Sequence, residues 1–134
     1  MMSNSIDILV VDDQPGLRML LGEVFMEQGY VVDVAGDGYE ALDKIAARKP
    51  TLVLMDVKMP LLNGLETINL LQKNTYQPMV VLMTAYGEND VLKQTNRMNV
   101  QHFINKPFDV KEVILLVRNL MAQATSHKQW QEIS

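Results

Sequence analysis

Five residues scattered along the chain carry groups that suit one kind of chemistry: the carboxylates of Asp12, Asp13 and Asp56, the hydroxyl of Thr84 and the ammonium of Lys106. Each lies at or just past the end of a short apolar run, namely Ile6 to Val11, Leu52 to Met55, Met79 to Met83 and His102 to Ile104. The runs themselves are almost free of charge. Taken singly, each residue has a plain explanation: an acidic pair after a strand can cap a helix, Asp56 can open a turn, and Lys106 can be a surface lysine. For a single short motif that explanation is the better one. Jointly, three carboxylates, a hydroxyl and an ammonium at four run ends point to one pocket.

Clustered carboxylates repel one another, and a hard divalent cation relieves the repulsion. Mg²⁺ takes one or two carboxylates, keeps several waters and accepts phosphate oxygens. A carboxylate can itself be the nucleophile, giving an aspartyl phosphate. Catalysis then consists of positioning and of neutralising charge on the transferring oxygens, tasks that suit Lys106 and Thr84. The set predicts Mg²⁺-assisted phosphoryl transfer, with Mn²⁺ as a substitute ion. His102 and His127 lack the spaced partners of a metal site, and the 10 methionines fit an adaptable core.

Positioning those groups requires a scaffold. With a further run at Val31 to Ala35, the chain alternates apolar β-branched runs with helix-length segments five times, the pattern of an α/β protein. Runs apolar on both faces suit a parallel sheet covered by helices on each side. In such a doubly wound sheet the ligand site lies beyond the carboxyl ends of the strands, where strand order reverses. In the first helix Leu17, Leu20, Leu21, Val24 and Phe25 fall on one face, and Gly29 supplies a stop. Asp37 with Glu40, and Asp109 with Glu112, predict capping boxes for the second and fifth helices. Val113, Leu116, Val117 and Leu120 form the fifth helix's buried stripe. The third and fourth helices are expected over 65–73 and 88–98.

One domain over 1–121 is expected, followed by a polar tail over 122–134. There is no cysteine, which excludes disulfides and thiol chemistry. The start of the chain has neither the cationic region nor the apolar run of a signal peptide or membrane span, so a cytoplasmic protein without membrane contact is expected. With 16 acidic and 12 basic residues the net charge is -4, and no Lys/Arg cluster suggests direct binding to nucleic acid.

The motifs V-D-D (11–13), L-M-D-V-K-M-P (54–60), N-G (63–64), M-T-A-Y-G (83–87) and K-P-F (106–108) together resemble the receiver domain of two-component response regulators, over about residues 5–121. The resemblance implies a flavodoxin-like, five-stranded parallel sheet in the order 2-1-3-4-5 with five helices. It implies Asp56 as phosphoacceptor, and Mg²⁺ held by Asp13, Asp56 and the backbone carbonyl of Lys58, with Asp12 acting through water. Thr84 and Lys106 would hold phosphoryl oxygens, Thr84 and Phe103 would form the switch, and the Lys106–Pro107 bond would be cis, where the penalty is small.

Within the family, the stretches 12–30, 83–90 and 106–113 are similar to stand-alone phosphorelay receivers that serve sporulation, although Phe103 replaces a histidine there and Pro15 a bulkier residue. That similarity implies a sensor histidine kinase, or a four-helix-bundle histidine phosphotransferase, as partner of a monomer, with an aspartyl-phosphate phosphatase as a further one. Gln14, Leu17, Leu20, Tyr86, Gly87, Pro107 and Phe108 would then meet the partner, although Leu17 and Leu20 also lie on the apolar stripe and fit the core equally well. A messenger receiver of the chemotaxis type, which binds a target without passing the phosphate on, uses the same pocket. An unrelated doubly wound cofactor binder or phosphatase fits less well. Lys58 stands where such a phosphatase needs an acid, and no Gly-rich phosphate loop follows the first run.

Overall fold

The computed structural model describes residues 4–85, 100 and 102–133, with side chains up to 124. Five strands, β1 (Ile8–Val11), β2 (Val32–Ala35), β3 (Leu52–Asp56), β4 (Met79–Ala85) and β5 (His102–Lys106), pair in parallel in the order β2-β1-β3-β4-β5. This is the expected doubly wound sheet. The helices among the described residues are α1 (Pro15–Glu27), α2 (Gly38–Arg48), α3 (Gly64–Leu71) and α4 (Val110–Ile133). The helix expected over 88–98 falls outside them.

Strand periodicity divides the core in two. Successive side chains point to opposite faces, so Leu9, Val11, Val53 and Met55 join Ile45, Ile68 and Leu71 of α2 and α3 on one face. Ile8, Val10, Leu52 and Leu54 meet Leu21 and Phe25 of α1 and Val113 and Val117 of α4 on the other. β1 and β3 are buried throughout because both faces are covered. Each fully buried large side chain contributes about 1.5–3 kcal/mol, and Phe25→Ala would cost about 3–5 kcal/mol through the cavity it leaves.

Helix ends follow local chemistry. Pro15 starts α1, where its missing N–H costs nothing. Beyond the end of α1, Gly29 takes φ 95°, a conformation open chiefly to glycine. In α2 the Asp37 carboxylate accepts the Glu40 N–H at 2.9 Å, but Glu40 reaches back to Gly36 instead of Asp37, so only half of the predicted box forms. A complete capping box stands on α3, where Asn63 and Glu66 each accept the other's backbone N–H. At α4 the Asp109 carboxylate accepts the Lys111 N–H at 2.9 Å.

Packing separates residues that share the apolar spacing of α1. Leu20 lies outside the buried stripe of α1 at 46% exposure, while Leu21 and Phe25 are fully buried. α4 continues as helical backbone through 122–133, so the polar stretch after Met121 is a helix end. That segment contains neither Pro nor Gly, and its Ala, Gln and Lys residues favour the helix.

Along the edge strand β2, Asp33 ties α2 down through Arg48 at 2.8 Å and Lys44 at 3.1 Å. Burial alone would push the Asp33 carboxyl up, but hydrogen bonds from Arg48, the Val34 N–H and Lys44 outweigh it and hold the carboxyl below its usual range.

Candidate functional site

The sheet order reverses between β1 and β3, so the carboxyl ends of these two neighbours open the crevice in which such folds bind ligands. Asp56 is the last residue of β3, and Asp12 and Asp13 follow β1 directly. Oxygen atoms of these three carboxylates all lie within 4.8 Å of one another. Asp12 is fully buried, Asp56 nearly so, and Asp13 is exposed at the rim.

Each buried carboxylate is held by directed partners. Asp12 Oδ1 accepts the Gln14 N–H at 2.9 Å, and its Oδ2 lies 3.4 Å from Lys106 Nζ. Arg18 of α1 donates to the Asp12 backbone carbonyl at 2.8 Å, which fixes the chain where the strand gives way to the helix. Lys106, the last residue of β5, also reaches Asp56 Oδ2 at 3.1 Å. Burial pushes the Asp56 carboxyl above its usual range; the hydrogen bond and charge of Lys106 oppose this, and the Asp12 charge adds to it. The Lys58 N–H also bonds the Asp56 carboxylate. Hard oxygen donors grouped around a buried, like-charged pair fit a Mg²⁺-type cation better than a softer metal.

Behind the pocket, Gly64 explains the N-G pair. Its N–H donates to the Val57 carbonyl at 2.8 Å, and a Cβ there would stand 2.6 Å from the Asp56 carbonyl oxygen. Only glycine lets the start of α3 lie this close to the residue that carries the central carboxylate.

Thr84 is buried and lies within β4, which extends to Ala85, two residues past the predicted run. Its hydroxyl donates to Asn105 Oδ1 at 3.1 Å. Phe103 is partly buried against the α2 and α3 core and pairs in register with Leu82, while Thr84 pairs with Asn105. The Lys106–Pro107 bond is cis.

Of the residues assigned to a partner surface, Gln14 and Pro107 are exposed, Leu20 is exposed, and Leu17 and Phe108 pack partly against the α1 and α4 core. Tyr86 and Gly87 lie outside the described residues. Three residues at the site, Arg18, Gly64 and Asn105, have roles that the sequence does not signal. Arg18 and Asn105 show no spacing signal, and Gly64 entered only as part of a motif, without its steric reason.

Parallel-sheet topology and an acidic pocket at its switch point define a class, and the family model of the response regulator receiver domain matches residues 8–118. The chain belongs to that family. It is 40% identical over 106 residues to Sporulation initiation phosphotransferase F of Bacillus subtilis, covering 79% of this chain and 86% of that one. Chemotaxis protein CheY of Thermotoga maritima is 32% identical over 108 residues, covering 80% and 90%. The receiver domain of the Francisella response regulator 1452 superposes with a TM-score of 0.80 at 26% identity, covering 90% of this chain and 99% of that one. Other relatives are longer, and the chain spans 26% to 54% of several of them.

Proposed function

We propose that this chain accepts a phosphoryl group on Asp56 from a phosphohistidine partner and passes it to a second histidine protein, as a cytoplasmic relay in sporulation control. The observation that carries the chemistry is the bridging of Asp12 and Asp56 by Lys106, beside the Asp13 carboxylate. An Asp56 carboxylate oxygen attacks phosphorus, the P–N bond breaks, and its electron pair returns to the departing imidazole. Lys106 and the Thr84 hydroxyl meet the phosphoryl oxygens and offset the charge that they carry. Asp12, Asp13, Asp56 and the Lys58 carbonyl would hold Mg²⁺, or Mn²⁺ in its place, which neutralises charge on the transferring group.

The relay reading is supported by similarity along most of the length of a sporulation phosphotransferase. On that reading the partners are a sensor histidine kinase and a four-helix-bundle phosphotransferase, with an aspartyl-phosphate phosphatase resetting a monomeric receiver. Similarity to a chemotaxis protein of the same size favours a messenger as the second reading. Phosphate transfer from the phosphorylated chain to a histidine phosphotransferase separates the two.

Intact-mass measurement after incubation with acetyl phosphate and Mg²⁺ tests the chemistry. The expected result is one added phosphoryl group on the natural chain, lost on chelation of the ion before the reaction, and none on Asp56→Ala. Full labelling of Asp56→Ala overturns the assignment.

A further inference from the structure

β4 and β5 are in register such that Thr84 stands directly opposite Asn105, and the Thr84 hydroxyl donates to Asn105 Oδ1 at 3.1 Å. A threonine hydroxyl has one proton to donate. On the reading that Thr84 binds a phosphoryl oxygen, which only accepts, this proton must leave Asn105 before it can serve the phosphoryl group. The two bonds are mutually exclusive.

Asn105 itself gains little else from its place. Asparagine is depleted in strands, and this one is exposed on the edge strand, contributing nothing to the core. It immediately precedes Lys106, which reaches Asp56. We propose that Asn105 is a positioning residue: it engages the Thr84 proton in the unphosphorylated protein and so sets the threshold for ordering Thr84 on the phosphoryl group. The inference rests on the function proposed above and adds a control to the same site. Because Asn105 is exposed, its amide turns to water when Thr84 leaves, so release costs little and is reversible. Phe103 shares the face of β5 that carries Asn105, two residues away, and pairs with Leu82, the β4 neighbour of Thr84 on that face.

The test uses the full chain and beryllofluoride, a phosphoryl mimic, with affinity measured by calorimetry at saturating Mg²⁺. Asn105→Ala frees the Thr84 proton and is expected to tighten beryllofluoride binding about two- to tenfold, the range of one net hydrogen bond. Mg²⁺ affinity without beryllofluoride stays as in the natural chain. In a Thr84→Ala background the same substitution has no effect, which a merely structural role of Asn105 would not produce. Equal or weaker binding by Asn105→Ala, or equal tightening in both backgrounds, overturns the proposal. If Thr84→Ala alone leaves beryllofluoride affinity unchanged, the phosphoryl-binding role of Thr84 falls and this control falls with it. If Thr84→Ala weakens binding but Asn105→Ala does nothing, only the control falls.

Discussion

Lys106 Nζ stands 3.1 Å from Asp56 Oδ2, joining the last residues of β5 and β3 across the intervening β4. The same nitrogen lies 3.4 Å from the fully buried Asp12. One cation thus balances two buried carboxylates that otherwise face each other.

Lys106→Met keeps the unbranched stem, one atom shorter, and removes its charge. Two buried carboxylates are left without a counter-charge, and such uncompensated groups cost about 1–3 kcal/mol or more. The metal-free variant is expected to be less stable by about 2 kcal/mol in urea unfolding, with saturating Mg²⁺ recovering most of the loss. Phosphorylation by acetyl phosphate slows at least tenfold. A metal-free stability equal to that of the natural chain would show that Lys106 contributes no balancing charge.

A second expectation concerns pH. Burial, the largest influence, lifts the Asp56 carboxyl above its usual range despite Lys106. The folded state then holds this proton to higher pH than the unfolded chain. Its contribution to metal-free stability therefore falls as pH rises from the ordinary carboxylate range through the raised value, and stays low above it. Asp56→Asn removes that decline. It is expected to be more stable than the natural chain at neutral pH by on the order of 1 kcal/mol, the usual gain when a strained functional group is relieved, with the difference shrinking in acid. Urea unfolding with chelator across a pH series measures it, and a variant less stable at neutral pH contradicts it.

Gly64→Ala tests how tightly the fold holds the site. Its Cβ would lie 2.6 Å from the Asp56 carbonyl oxygen and 3.0 Å from the Val57 Cα, both backbone atoms that cannot move alone. Gly64 does not have a positive φ, so the cost is steric. Overpacking of this kind costs about 1–3 kcal/mol, and relief by displacement of Asp56 would also slow phosphorylation in the folded fraction. Thermal unfolding and initial phosphorylation rates check both, and a variant with natural stability and rate would show that the loop yields freely.

These expectations show what the sequence could and could not convey. Strand periodicity and the charges at run ends made the sheet, its two covered faces and the acidic pocket legible, because burial and charge leave local marks. Asp12, Asp56 and Lys106 are brought together because each stands at a strand's carboxyl end, a property visible in the chain. The Thr84 to Asn105 bond depends on the register of β4 against β5, and the need for glycine at Gly64 depends on how α3 meets β3. Neither relation is local. Leu20 had the spacing of a core residue, yet the stripe on α1 is narrower than the pattern allowed. The full capping box stands on Asn63 and Glu66, which have the same spacing as Asp37 and Glu40 but carry Asn as the cap.

Exposure on α1 also sharpens the question of partner recognition. Gln14 makes no side-chain cap to the helix, and Leu20 presents an apolar side chain at 46% exposure instead of entering the core. Gln14 lies on the segment that leaves Asp12 and Asp13, at the mouth of the pocket, and Leu20 lies further along the same helix. A small phosphodonor needs only that pocket, whereas a phosphohistidine on a helical bundle must dock so that phosphorus meets Asp56, and such orientation supplies much of the rate. Gln14→Ala and Leu20→Ala are therefore expected to leave labelling by acetyl phosphate within about twofold of the natural chain. Transfer from a cognate histidine kinase or phosphotransferase should slow several-fold, corresponding to about 1 kcal/mol or more at an anchor position. Phe108→Ala is a poorer probe, because Phe108 also packs against the α1 and α4 core. Equal slowing with both donors would place Gln14 and Leu20 in the chemistry of the pocket, and unchanged transfer with the protein donor would remove them from the docking surface.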